Sequence, residues 1–471
     1  MNLHRLKGLR ICRGALATGV LWVTLLPRIQ ELLAAEAAVE GGTTTNLPPP
    51  SFVAAKNPMP DLLLKDKKEN WYVTGIPQIG VDPEEGFGLG AELQIYDNGP
   101  ADSPFFRYAP YRRRIVAGAV WTTGGAENVY FGYDQPYIND TPWRIRAYAG
   151  WFANKYTDYF GTGTQTLQPL NYPGSTQTYQ HFDDYQNALN QVVNGETWKE
   201  YNHYQSQRVL GSFNVEYDLL GGRLRPLAGV QLNYYNFKDY TGNIIDGAVM
   251  QETKLHEDAR LGRISGVDGG WDNSLRAGLA YDTRDYEPNP TSGILAQTLV
   301  TGSTTAFGSG FNYGTAILSF SHFTSLMPSV TPLVFAGNYI YADRFGDVPF
   351  YAQNRLALPF DELKTGLGGW MTLRGYHRNR FVGEVTALAT WELRWSFAET
   401  TILKQHLRFM AAAFGDTGRV FDSLGGTTLR DWKFDAGGGL RLAWNVATVI
   451  SFEYGMSEEG GLFYMELGHQ F

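Results

Sequence analysis

Residues 386–397 read TALATWELRWSF, and apart from Leu388 they alternate. Ala387, Ala389, Trp391, Leu393, Trp395 and Phe397 fall on one face; Thr386, Thr390, Glu392, Arg394 and Ser396 fall on the other. A helical period of 3.6 would mix the two sets, so the segment is a strand. A soluble sandwich also alternates, but its apolar face packs into a dry core. Here the apolar face ends in large aromatics and the other face carries opposite charges in mid-strand. That combination suits a strand with lipid on one side and a wet lumen on the other.

The same pattern recurs along the chain. In VISFEYGM, Ile450, Phe452, Tyr454 and Met456 oppose Ser451, Glu453 and Gly455. In LFYMELGHQF, Phe463, Met465, Leu467 and Phe471 share the apolar face, so Phe471 is expected to face lipid at the strand end. About sixteen such segments run from 72–81 and 86–97 to 446–456 and 461–471, with 143–153 and 405–415 among them. Only a closed barrel satisfies every backbone group of a sheet in lipid, so the predicted fold is all-β: a transmembrane antiparallel β-barrel of about 16 strands spanning 71–471. With both chain ends on the periplasmic side, the turns at Gly221-Gly222 and near Asn445 fall inside. The long insertions at 154–205, 240–270, 344–381 and 416–431 fall outside. Within the first, Phe182, Tyr185, Ala188, Leu189, Val192 and Val193 recur at helical spacing, which predicts a helix on the barrel mouth.

The N-terminus has the form of a secretory signal. Arg5, Lys7, Arg10 and Arg13 precede the apolar run GALATGVLWVTLLP, which is shorter than a spanning helix needs, and small residues follow with cleavage expected near Ala35 or Ala37. Residues 1–37 are read as the signal peptide and 38–70, with its GGTTTNLPPPS, as a solvated periplasmic linker or tail. The single cysteine, Cys12, lies in the signal segment, so no disulfide framework is expected. The formal net charge of -8 argues against a nucleic-acid partner.

One short span stands apart: GGWMTLRGYHRNR, residues 368–380, crowds three arginines and a histidine into a long insertion. An exposed loop would hydrate these cations, whereas a loop folded back into the barrel must pair them. Parity turns Glu392 and Asp416 inward on the following strands. Arg374 can then bridge to the Asp416 wall position with Glu392 beside it, while Gly375 permits close approach and Tyr376 packs inside. Arg378 and Arg380 are expected to be hydrated or to line the lumen.

These residues carry a family resemblance. LRGY in the long loop resembles the Arg-Gly-aromatic signature of the BamA/TamA outer-membrane assembly superfamily (the bacterial surface antigen type). FGDTGRVF resembles its Asp-x-Gly strand motif. YDTRDYEPNPTSG, with Asp282, Arg284, Pro290 and Gly293, resembles its strand-turn motif. The alternating terminal residues Phe463, Met465, Leu467 and Phe471 resemble the signal read by the barrel assembly machinery. The resemblance implies a loop folded into the lumen through Arg374, Gly375 and Tyr376, with Asp416 and Glu392 as its anchoring wall partners. Family members usually carry periplasmic POTRA modules, and residues 38–70 cannot hold one, so the chain resembles a barrel-only branch.

No zinc-protease, Walker or nucleophile-elbow motif is present; no enzyme activity, metal or cofactor is expected. The resemblance implies assistance in inserting or translocating envelope proteins or lipids through a weak seam between the first and last strands. The alternative is a passive channel or structural barrel whose loop acts as a plug. Expected partners are outer-membrane lipid, the assembly machinery for the chain's own insertion, an envelope protein or lipid cargo, and a helper protein in place of POTRA modules. The expected location is the outer membrane of a Gram-negative bacterium.

Overall fold

A computed structural model describes residues 48–59, 61–327, 332–356, 365–403, 405–444 and 448–471, all within one compact unit, Leu47–Phe471. The expectations for residues 1–47 and for the turn near Asn445 lie outside the described residues. Sixteen long strands are present among those described: β1 Trp71–Asp82, β2 Gly86–Asp97, β3 Arg113–Thr122, β4 Ala126–Gln135, β5 Trp143–Asp158, β6 His203–Tyr217, β7 Leu224–Asp239 and β8 Ser274–Asp282. They continue as β9 Gly293–Ser303, β10 Tyr313–Met327, β11 Leu333–Gly346, β12 Val385–Ile402, β13 Gln405–Phe421, β14 Lys433–Trp444, β15 Thr448–Ser457 and β16 Gly460–Leu467. Each pairs antiparallel with the next, and β16 returns to β1. The result is a closed 16-stranded antiparallel barrel, with no helix among the described residues long and apolar enough to span a membrane.

Leu89, Leu93, Val209, Leu318, Leu393 and Leu440 project outward and are exposed, as a surface in hydrocarbon requires. Trp71, Trp143, Trp395 and Trp444 stand on this surface near the inner end, which carries the short turns. Trp121, Trp271, Phe345 and Phe434 stand near the outer end, which carries the long loops. Two aromatic girdles flank the apolar belt.

Several strands run past their sequence boundaries. β5 continues to Asp158 and β13 to Phe421, because above the membrane the outward face needs no apolar residues and alternation fades. The outer helix is shorter than its periodicity suggested. Phe182–Leu189 is helical, but Val192–Val193 pairs with Glu196–Thr197 across Asn194 and Gly195, whose φ values of 53° and 82° make a tight hairpin turn. The Asn-Gly turn overrides the helical spacing.

Residues 48–59 are not a solvated tail. Val53 is fully buried with Phe105, Ala109 and Tyr137, and Lys56 Nζ sits 2.8 Å from Asp218 Oδ2. Ala55 N–H donates to Gly221 O at 3.0 Å. The short apolar residues of an otherwise polar segment thus close against the inner ends of several strands.

The last strand also departs from expectation. It ends at Leu467, Gly468 turns at φ 109°, and residues 468–471 bend into the lumen. Phe471 does not face lipid: it packs on Phe323, Val334 and Ala336, with its carbonyl oxygen 3.0 Å from Arg394 Nη2. A left-handed glycine breaks the parity that would have carried Phe471 outward.

Candidate functional site

The loop between β11 and β12 folds back between the barrel walls. Within it, Leu367 and Phe381 exchange backbone hydrogen bonds of 3.1 and 3.0 Å, closing residues 367–381 into a finger. Gly368 at φ 110° lies where a β-carbon would meet His377 O at 1.8 Å, so no other residue fits. Thr372 Oγ1 accepts from Gly368 N–H at 2.9 Å and shares its one proton between the carbonyls of Gly366 and Gly368. The apolar side of the finger, Leu367, Leu373, Tyr376 and Phe381, is buried against Ile317, Ile340, Leu388 and Val420 of the wall.

Arg374 projects from the other side and is 0% exposed. Its Nε and Nη2 donate to Asp416 at 2.8 and 2.9 Å, a bidentate fork. Its Nη1 donates to Glu392 at 2.6 Å and to Glu453 at 3.0 Å, and the guanidinium lies 3.4 Å over the Phe414 ring. Arg441 also pairs with Glu392 and Glu453, and Arg394 donates to Glu392 at 2.7 Å. Three guanidiniums and three carboxylates therefore neutralise one another in a site closed to water, which is how so many buried charges are tolerated. Gly375 passes so close to the wall that a β-carbon would lie 2.6 Å from Asp435 Cβ and 2.8 Å from Met456 C. Tyr376 OH donates to Phe434 O at 3.3 Å.

Of the residues singled out in sequence, Arg374, Asp416 and Glu392 come together here, with Gly375 and Tyr376 alongside. Phe463 is exposed on the outer face and Met465 and Leu467 share its side of β16, whereas Phe471 is inside. Asp282, Arg284, Pro290 and Gly293 form a separate inner turn. There Arg284 Nη2 lies 2.8 Å from Asp282 Oδ2, and Gly293 turns at φ 102°. Sequence reasoning had Glu453 and Arg394 facing the lumen but did not join them, or Arg441, to Arg374.

Arg380 is buried rather than hydrated, and Arg378, expected to be hydrated or to line the lumen, is part-exposed but paired. Arg380 Nε lies 2.9 Å from Glu459 Oε1, and its Nη1 and Nη2 donate to Thr166 O and Gln168 O. Arg378 Nη2 meets Asp82 at 2.8 Å, and its Nη1 meets Glu85. His377 Nδ1 sits 3.0 Å from Glu84 Oε1, its ring stacked on Phe182 at 3.5 Å.

Burial alone would lower the His377 pKa, but the hydrogen bond and charge of Glu84, with Asp158 and Glu459 nearby, raise it above the usual 6.5. A raised histidine contributes stability that is complete below about pH 6.5 and lost as pH climbs through its folded value. Burial would raise Glu84, but His377 and Arg378 hold it below its usual 4.5, so its share is lost only in strong acid. The protection factors of amides in residues 375–380, that is, exchange corrected for its intrinsic base catalysis, are therefore expected to fall as pH rises above about 6.5. Glu84→Gln should flatten that fall in protection; an equally steep protection profile in that variant refutes the assignment.

β1 and β16 share a single ladder pair, Val81 with Met465, although β1 pairs with β2 from Trp71 to Asp82. Pro77, in the middle of β1, is tolerated where a ladder is missing on one side.

The Omp85 superfamily domain matches residues 118–471. A domain of unknown function, DUF5982, matches residues 50–112, the stretch from the buried Val53 segment through the first hairpin and its inner loop. Similar solved structures include BamA from Haemophilus ducreyi lacking POTRA domains 1-3, at TM-score 0.51 and 13% identity over 85% of this chain and 71% of that one. Another is CdiB from Acinetobacter baumannii, at TM-score 0.46 and 8% identity over 85% of this chain and 60% of that one. At these identities the likeness is one of fold. No curated protein matches the sequence.

Proposed function

The chain belongs to the Omp85 superfamily, and from that premise we propose that it assists the insertion or translocation of envelope proteins or lipids at the outer membrane of a Gram-negative bacterium. The barrel acts without catalysis, by parting the seam between β1 and β16. The observation that carries this reading is the seam itself, one residue pair in an otherwise fully laddered sheet. Unpaired backbone groups on β1 form an edge that an incoming strand can complete. Arg374, Gly375 and Tyr376 act as the lumen anchor, with Asp416 and Glu392 as its wall partners. Phe463, Met465 and Leu467 form the lipid-facing part of the chain's own assembly signal, and the 282–293 turn braces the inner rim. Residues 38–70 precede the barrel domain of 71–471, and a helper protein is a further partner. A plugged passive channel is the second reading, favoured by the filled lumen.

The test is a lock. Cys12 is the sole cysteine, so a Val81→Cys, Met465→Cys pair can form one defined disulfide, cross-strand partners lying within bridging distance. In proteoliposomes, the oxidised barrel is expected to lose insertion of a small β-barrel client, read as its shift to a heat-modifiable form, and reduction should restore it. Equal insertion by the locked barrel overturns the seam mechanism and favours the plugged channel.

A further inference from the structure

The finger does more than anchor itself through Arg374, because its next residues span the seam. On one side lie Asp82, at the end of β1, and Glu84 and Glu85 in the turn that follows. On the other lie Glu459, in the turn between β15 and β16, and Glu466, facing inward on β16. The two sides are close: a β-carbon on Gly80 would lie 3.1 Å from Met465 O and 3.8 Å from Glu466 Oε2. The short overlap of the two strands is therefore lined by carboxylates from both, Asp82 at the outer end of β1 and Glu466 near the inner end of β16, and like charges in a buried setting repel.

The counter-charge comes from the finger. Arg378 bridges Asp82 and Glu85, and its backbone N–H donates to Glu84 Oε1 at 2.9 Å. His377 holds the same carboxylate at 3.0 Å. Two residues on, Arg380 pairs with Glu459 on the opposite side at 2.7 Å, and Ser457 Oγ donates to Gly375 O at 2.6 Å. Residues 375–380 thus touch the first hairpin and the last one at once. Arginine suits the central position because its planar fork can hold two carboxylates together, which a point charge does less well.

We propose that residues 377–380 form a latch across the seam: His377 and Arg378 hold the carboxylates at the outer end of the first strand, Arg380 holds Glu459 of the last hairpin, and their withdrawal lets the facing Asp82 and Glu466 part β1 from β16. The proposal rests on the seam reading above and adds the residues that regulate it. Arg378 acts as a positioning residue, through the strands rather than on the cargo. Closure at the outer end then depends on where the finger lies, so anything that pulls the finger outward opens the seam.

Amide exchange of the full chain in lipid nanodiscs, followed on peptides from β1 and β16, tests this without any client. Arg378→Gln is expected to speed exchange there by at least about ten-fold while β10 and β11 stay unchanged. Adding Asp82→Asn and Glu466→Gln to that variant should return exchange towards the original rate, because the facing carboxylates of β1 and β16 are then gone. Arg378→Lys should give an intermediate rate, and it carries the test if the glutamine variant fails to reach the heat-modifiable form. Unchanged exchange at β1 and β16, or no recovery on removing the two carboxylates, overturns the latch. Faster exchange with no change in client insertion would leave the latch standing and count against the functional reading instead.

Discussion

Arg374→Ala is expected to destabilise the packed lumen by about 3–5 kcal/mol, the range for removing one partner of a buried charge cluster. Its partners fare differently. Glu392 and Glu453 keep Arg441, and Glu392 keeps Arg394 as well. Asp416 loses the fork that holds both its oxygens, and it already faces Asp435 in the ladder. Most of the loss is therefore the strain of an unanswered Asp416. The finger should release, exposing residues 366–381 to protease, and the unfolding midpoint in denaturant should fall. Asp416→Ala in the Arg374→Ala background is expected to cost little more than the single change, because the lost interaction is shared. Strictly additive effects in that cycle would falsify the coupling. Arg374→Lys should rescue only part of the loss, since one ammonium cannot reach three carboxylates with the same geometry.

Glu392→Ala is the second large effect, again about 3–5 kcal/mol, and its signature is at the other end of the chain. Glu392 lies among Arg374, Arg394 and Arg441. Without it three guanidiniums share Asp416 and Glu453, and Arg394 loses its carboxylate. Arg394 also holds the tail, donating to Phe471 O at 3.0 Å and lying 4.9 Å over its ring. The bent residues 468–471 should therefore loosen in step with the finger, which they meet where Gln470 Nε2 donates to Thr372 O at 2.9 Å. Exchange measured on the C-terminal peptide reads this directly. A tail as protected as in the unaltered chain would show that the apolar pocket of Phe323, Val334 and Ala336 alone retains Phe471.

The tail and the finger meet inside the barrel, so the inner and outer closures share one charge cluster. A change at Glu392 or Arg374 is felt at both ends. Arg378, whose partners lie in the first hairpin, works through a different set of carboxylates, and its effects should separate from those of Arg374.

Period-two alternation decided much of this protein before any contact formed. It set the strand number and put Leu393 outside and Glu392, Arg394, Asp416, Arg441 and Glu453 inside, because successive side chains on a strand must point to opposite faces. Parity says nothing about height, however. Which inward charges meet Arg374 depends on the stagger between neighbouring strands, set when the sheet closes. Arg378 and Arg380 looked like solvated cations because their partners, Asp82 and Glu459, lie 296 and 79 residues away. Local rules also lost at three places: at Asn194-Gly195, where a turn ended the helix; at Gly468, where a left-handed residue reversed the face of Phe471; and at Val53 and Lys56, where a segment that reads as a linker found burial under the barrel. In each, the deciding partner was distant in the chain or the backbone took a conformation that periodicity does not encode. Only the closed tertiary structure brings those partners together.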